Sequence, residues 1–361
     1  MTTKTCISIV ILALFASCSN SSKNAYISVP YRDENWGVSQ KNNRFENSEA
    51  ILKAKNFDFL YSILIAQNNE LILEKYFNGA SDSVAFDIKS VTKSFTSGLI
   101  GIALHQKIID GLDSKLKDLL PEYFKNQQHA DKAEITLRQL LTMQGGYSYH
   151  STRDIFETDD WINNILNYKL EFAPGEKFCY AACESHLLSA IIAEKSGLKT
   201  EDFAKKYFFD PLKINIGNWV SDPNGINNGN AGLYMTSRDL LSYGQLYLNH
   251  GQYNGKQVIP SDWIANSIIN SNNGLPRCEE SNDIPFSGYG YHWWLDSLDN
   301  QKAIIASGYG GNFIFILPDL NMTIVTNANT NIGWQNNADN VNKIINLLTD
   351  LIEEIKTAHN N

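Results

Sequence analysis

The sequence predicts an α+β sandwich: an antiparallel sheet built from both ends of the chain, flanked by helices, with a mostly helical lobe inserted at about 112–285. Three observations predict it. Towards the N-terminal side, "LYSILIAQ" (Leu60 to Gln67) and "ELILEKYF" (Glu70 to Phe77) are apolar, strand-like runs divided by Asn-Asn, the pattern of a hairpin. Towards the C-terminal side, "QKAIIAS", "NFIFILP" and "NMTIVTNA" are three short apolar strands separated by turn residues. Between the two groups, "TLRQLLTMQ", "ESHLLSAIIAEKSG" and "TSRDLLSYGQLYLNHG" repeat their apolar residues with a helical period. The latter two run into glycine, a common helix stop. A last helix, "NADNVNKIINLLTDLIEEIKTA", closes the chain.

The 361 residues suffice for a sizeable core, and 43% hydrophobic with 19% charged residues is an ordinary globular composition. A net charge of −9 with no Lys/Arg block argues against a nucleic-acid partner. The first 18 residues, "MTTKTCISIVILALFASC", pair a short basic n-region with an apolar run from Cys6 to Phe15, the pattern of an export signal. "FASC" resembles a bacterial lipobox with Phe15 in place of the usual Leu. That makes Cys18 the expected lipidation site, and the polar "SNSSKN" that follows favours a lipoprotein over a plain secretory signal. The expected organisation is a signal over 1–18, a tether and extension over 19–45, and one domain over 46–361. The expected location is the periplasm or cell surface of a bacterium, with a lipid anchor in the outer membrane as the sole membrane attachment. Cys179, Cys183 and Cys278 form an odd set in an exported chain, so at least one is free or bonded to another molecule. No HExxH or His/Cys cluster signals a metal, and no cofactor motif is present.

The segment from Val91 to Lys107 reads as a helix of unusual composition. From Ser94 to Gln106 the only titratable residue is His105, and Phe95, Leu99, Ile100, Ile102 and Leu104 cover most of its circumference. A helix apolar on nearly every side is buried. Gly98 and Gly101 cost it intrinsic helicity, which makes sense if other backbone passes close by. Ser90 begins this helix and Lys93 lies in its first turn, on the same face. A helix N-terminus disfavours a cation and burial disfavours it further, so Lys93 is driven towards the neutral amine that can take a proton from a hydroxyl.

"SVTKS" resembles the S-x-x-K box of the serine β-lactamase and penicillin-binding protein superfamily, and its surroundings resemble the class C-like branch with its esterases and nylon-oligomer hydrolases. "SILIAQNNELILEKYFNG", "ITLRQLLTMQGGY", "DWINNILNYKLEFAPGEKFCYAACESHLLSAII", "GLYMTSRDLLSYGQLYLNHGQYNGKQVI", "YGYHWWL" and "ASGYGGNFIFILPDLNMTIV" follow in the order of that branch, from about Trp36 to beyond Ala328. The resemblance implies a β-lactamase/transpeptidase-like fold, with Ser90 as the acylated nucleophile and Lys93 as its proton acceptor. Tyr180 in "FCYAAC" takes the tyrosine position of the Y-x-N/S box and shares the proton with Lys93. The third box reads Ala306-Ser307-Gly308, and the backbone N–H groups of Ser90 and Tyr309 would form the oxyanion hole. Ser307, Gly308 and Gly310 would bind substrate, and Trp161 and Tyr147 would line an apolar acyl pocket. His150 is read as an exposed loop residue, and Trp293 and Trp294 as packing.

Two departures bear on the substrate. Ala182 stands where the second box has Asn or Ser, and Ala306 where β-lactamases and peptidases place a cation. The expected reaction is therefore hydrolysis of a small ester, amide or peptide-like substrate through a Ser90 acyl-enzyme, without cofactor. Alternatives are a weak β-lactamase or D-Ala carboxypeptidase/DD-peptidase, and a non-catalytic binding or regulatory protein on the same fold.

Overall fold

Two apolar cores, one on each face of a single large sheet, organise the chain. The computed structural model describes residues 26–28, 40–148, 158–279 and 284–360; the expected export signal, Cys18 and His150 lie outside the described residues. In spatial order the eight strands are Gly288–Tyr289, Trp294–Leu298, Gln301–Gly308, Asn312–Leu317, Met322–Ala328, Leu60–Gln67, Glu70–Tyr76 and Gln40–Lys41. All neighbours are antiparallel except the last pair. The sheet thus joins the two ends of the chain where Met322–Ala328 pairs with Leu60–Gln67. Asn68 and Asn69 close the first hairpin, both with positive φ, a conformation asparagine tolerates and a two-residue hairpin turn demands.

Side chains alternate between the cores with the strand period of two. Ile63, Ile65, Ala303, Ile305, Phe313 and Phe315 face the C-terminal helix Trp334–Asn360, whose Ile344, Leu347, Leu348, Leu351, Ile352 and Ile355 recur at helical spacing. Leu64, Ala66, Ile304, Ala306, Ile314 and Ile316 face the opposite core, with the helices Thr92–His105 and Ser237–Leu248. The inserted helical region adds Leu137–Leu141, Trp161–Asn167 and Ala182–Ser196, the last stopped by Gly197 at φ +66°. Thr136 and Gln139 cap Leu137–Leu141 reciprocally. A second, four-stranded sheet that the sequence pattern did not reveal pairs Tyr26–Ser28, Val84–Asp87, Leu233–Thr236 and Asn218–Trp219. Its strands are two to four residues long, too short to show periodicity.

The buried helix is Thr92–His105, preceded by a 3-10 turn at Lys89–Val91, with Thr92 to Ala103 all buried. Its glycines admit aromatic side chains rather than the backbone expected. A Cβ on Gly101 would stand 2.3 Å from the Trp263 ring, and one on Gly98 2.8 Å from Tyr243 Oη. Gly101→Ala should therefore destabilise the protein by about 1–3 kcal/mol although alanine is the better helix former, read as a lower urea midpoint at unchanged m-value.

Candidate active site

Strand Val84–Asp87 delivers the chain to the 3-10 turn that holds Ser90. The reversal is made at Lys89, which takes φ +51°, a costly conformation for a residue with a Cβ. Asp87 holds it there, accepting the Lys89 N–H at 3.1 Å and pairing with Lys89 Nζ at 2.7 Å. Ser90 is left half-buried at the mouth of the helix. One turn on, Lys93 is 2% exposed, and its Nζ lies 2.8 Å from Ser90 Oγ and 3.2 Å from the Asn230 carbonyl. Desolvation lowers the Lys93 pKa to about 7, with the neighbouring Cys183 a lesser, opposing influence. A lysine that is half neutral near pH 7 and touches a hydroxyl is chemically a base poised to accept its proton.

The Asn230 carbonyl was not legible in the sequence. Segment Asn228–Asn230 is wedged between two helices: a Cβ on Gly229 would stand 2.0 Å from Ser185 O, and Thr96 Oγ1 donates to Gly229 O at 2.8 Å. Asn228 Oδ1 accepts from both Asn230 N–H and Asn230 Nδ2, at 3.0 and 2.7 Å. The string "GINNGN" carries a faint signal, a glycine flanked by asparagines.

Tyr180 arrives on the loop before helix Ala182–Ser196, with Ala182 at the helix's first position. Lys93 Nζ lies 4.9 Å from its ring centroid. Trp294, read from sequence as packing, lies against it at 5.3 Å between centroids, and Tyr289 at 6.2 Å edge-on. Behind Tyr180 the chain is covalently fixed: Cys179 is bonded to Cys278, leaving Cys183 as a buried free thiol. Cys278 N–H also donates to Phe178 O at 2.9 Å, so the bridge sits in a short pairing of two segments.

The end of strand Gln301–Gly308 meets the Ser90 turn directly. A Cβ on Gly308 would stand 2.4 Å from Ile88 O and 3.3 Å from Val91 Cγ2. Neighbouring strand Trp294–Leu298 pairs only as far as Trp294↔Ile305, so Ala306–Gly308 extends past it with hydrogen-bonded register on one side. Ala306 is 1% exposed and faces the core of the Ser90 helix, whereas Ser307 is half-buried on the opposite face. Gly310 has φ +91° and approaches Asn329 O, to 2.6 Å from where a Cβ would be.

Tyr147 and Trp161 both belong to the core, at 0% and 6% exposure, and the segment 149–157 that follows Tyr147 lies outside the described residues. Trp161 packs on His186, 5.1 Å between centroids. His292, from the "HWW" stretch, sits beneath the helix start: its Nδ1 is 3.2 Å from Lys93 O, and Ser94 Oγ donates to His292 O at 2.7 Å. Burial, with Lys93 nearby, lowers its pKa to about 3, so the ring stays neutral. Among the described residues, no three His, Cys, Asp or Glu side chains converge so as to hold a metal ion.

A profile of the Beta-lactamase family matches residues 61–345. The chain belongs to that family. The 6-aminohexanoate-dimer hydrolase of Paenarthrobacter ureafaciens is 20% identical over 286 residues, spanning 73% of this chain and 71% of that one. A Bacillus anthracis protein given as a candidate 6-aminohexanoate-dimer hydrolase superposes with a TM-score of 0.68 at 23% identity, covering 91% of this chain and 89% of its own. The penicillin-binding protein of Bacillus halodurans superposes with a TM-score of 0.61 at 16% identity, covering 83% and 100%. These likenesses place the fold in the serine β-lactamase and penicillin-binding protein superfamily, with a nylon-hydrolase relative as the class C-like resemblance implied.

Two expectations follow from the burial of Lys93. If the neutral amine serves as the base, reaction of Ser90 with an acylating agent should rise with pH through a single ionisation near 7 and level off above it. Lys93→Met should remove that reactivity by about 10²–10⁴-fold. It should also stabilise the fold. The depressed lysine makes the unfolded chain bind an extra proton between about pH 7 and 10.5, so its cost to stability is fully present below 7 and fades as pH rises. At pH 7 the gain should be on the order of 2–4 kcal/mol, and at pH 10.5 close to nothing, read from denaturant curves at the two pH values.

Proposed function

We propose that the protein is a serine hydrolase that cleaves an uncharged ester or amide through a Ser90 acyl-enzyme. The observation that carries this reading is the buried Lys93 amine, 2.8 Å from Ser90 Oγ, with its pKa lowered to about 7 by desolvation. Ser90 Oγ attacks the substrate carbonyl carbon as its proton passes to Lys93. The carbonyl oxygen takes the negative charge and accepts the N–H groups of Ser90 and Tyr309. Collapse breaks the bond to the leaving alcohol or amine, which is protonated from the Lys93–Tyr180 pair. Water then attacks the Ser90 ester, its proton returning by the same pair, and the acid leaves with Ser90 restored.

The substrate class rests on what surrounds Ala306. That position is buried among apolar side chains, and the nearby Lys89 is already paired with Asp87. Among the described residues Ala306 packs with apolar side chains, so a substrate carboxylate set against it would lose its hydration without an ionic partner. Ser307, Gly308 and Gly310 are read as the strand edge and turn along which the substrate's acyl part lies. Export, with lipidation at Cys18, completes the reading and puts the reaction outside the cytoplasm.

Intact-mass spectrometry of a chain beginning after Cys18, treated with a fluorophosphonate, should give one adduct that Ser90→Ala lacks. A fluorescent penicillin should label weakly or not at all. Absence of the phosphonate adduct on folded protein, or strong turnover of the penicillin, would each defeat a different half of this proposal.

A further inference from the structure

The turn that bears Tyr309 is gripped by side chains from three elements. Asn312 Nδ2 donates to Tyr309 O at 2.8 Å, and Thr326 Oγ1 donates to Gly311 O at 2.8 Å. From the C-terminal helix, Asn337 Oδ1 accepts the Gly310 N–H at 2.6 Å. With φ of +91° at Gly310 and +106° at Gly311, the turn has a backbone accessible to few sequences, and glycine alone would leave it loose.

Asn312 is not an isolated support. It is fully buried, and its Oδ1 accepts from Asn327 Nδ2 at 3.1 Å and from Ala328 N–H at 3.3 Å. Asn327 Oδ1 in turn lies 2.8 Å from Ser237 Oγ and 3.2 Å from Ser62 Oγ, and those two hydroxyls are 2.8 Å apart. Ser62, Asn312 and Asn327 have no exposed surface and Ser237 has 1%. A line of amides and hydroxyls therefore crosses three neighbouring strands of the sheet and ends on the turn. Each such group costs about 1–3 kcal/mol to bury unless partnered, and apolar side chains would fill the same space without that constraint. A satisfied buried network instead fixes one geometry.

We propose that Asn312, backed by Asn327, Ser62 and Ser237, is a positioning residue for the oxyanion hole. It holds the carbonyl of Tyr309 while the close contact of Gly308 with Ile88 holds the preceding peptide, and between them the Tyr309 N–H is aimed beside the Ser90 N–H. This rests on the acyl-enzyme reading given above.

The test compares a p-nitrophenyl ester with its thiono analogue, whose sulfur accepts poorly from oxyanion-hole donors. Asn312→Asp keeps an acceptor for Asn327 and Ala328 and, when ionised, offers no donor to Tyr309 O. It should lower kcat for the ester about 10–100-fold with KM within about twofold, and lower the ester/thionoester ratio of kcat by about tenfold. If that variant does not fold, Asn327→Leu, one step back along the line, should lower the same ratio by about threefold. Gln245→Met serves as a stability control, because it removes the buried Gln245–Thr323 hydrogen bond at 2.9 Å without touching the turn, and should leave the ratio unmoved. Ester and thionoester rates falling together in the Asn312 or Asn327 variants, as in the control, would overturn the positioning role alone. A wild type that neither turns over the ester nor takes the phosphonate at Ser90 would overturn the acyl-enzyme reading and this inference with it.

Discussion

An uncompensated lysine in the core is the constraint on which the rest of the site depends. Lys93 sits at the start of a helix, where the macrodipole opposes its charge, and inside a core that opposes it again. Among the described residues no carboxylate forms an ion pair with it; it contacts Ser90 Oγ, the carbonyl of Asn230 and the face of Tyr180. The molecule thereby gives up stability to keep a neutral amine beside a hydroxyl. His292 extends the same logic below it. A neutral ring on the Lys93 carbonyl supports the first helical turn without adding a charge that would shift the amine.

A base of this kind is useful only if its partners are equally fixed, and each is fixed by a different device. Ser90 is set by a left-handed Lys89 pinned to Asp87. Tyr180 is flanked by Cys179, whose disulfide reaches across 99 residues to Cys278, and is walled by Trp294 and Tyr289 from the main sheet. The strand carrying Ala306–Gly308 is locked by glycine contact with Ile88 and by the amide line ending at Asn312. Covalent, steric and hydrogen-bonded restraints thus converge on one small volume from three separate parts of the chain. Sites held by rigid elements in this way are pre-organised, which is where most of the electrostatic contribution to acyl transfer arises.

The long elements were legible in the sequence because their periodicity survives without context. Both strand groups, the buried helix and the amphipathic C-terminal helix read directly as apolar patterns. The second sheet was not, because strands of two to four residues carry no period and are defined by their partners. The glycines of the buried helix were read correctly as signs of close approach but assigned the wrong neighbour, since nothing local announces that Trp263 will fill the space above Gly101. At the site, the burial of the helix start at Lys93 was legible from its apolar context, whereas the roles expected of Ser90, Lys93 and Tyr180 came only through resemblance. The carbonyl of Asn230, the Cys179–Cys278 pairing and the Asn312–Asn327–Ser237–Ser62 line were not. All three join residues far apart in sequence, through backbone atoms or side chains whose identity is unremarkable until the fold brings them together.

The alanines at 182 and 306 invite the view that the fold has outlived its chemistry, and the energetics argue against it. Once catalysis ceases to matter, the first residues to drift are those that cost stability, because most replacements there are gains. Lys93 is such a residue: almost any apolar side chain of its length would relieve a buried amine. The left-handed Lys89 and the buried amides behind Tyr309 belong to the same class. A binding protein that had merely kept the scaffold would have no use for a lysine whose pKa is lowered to about 7 against a serine hydroxyl. The two alanines are of the opposite kind. Neither burdens the fold, and each stands where the resemblance would put a polar group that meets a charged or strongly polar substrate. A costly buried amine beside a serine, with alanine at both of these positions, fits the proposed hydrolysis of an uncharged substrate better than it fits a non-catalytic scaffold.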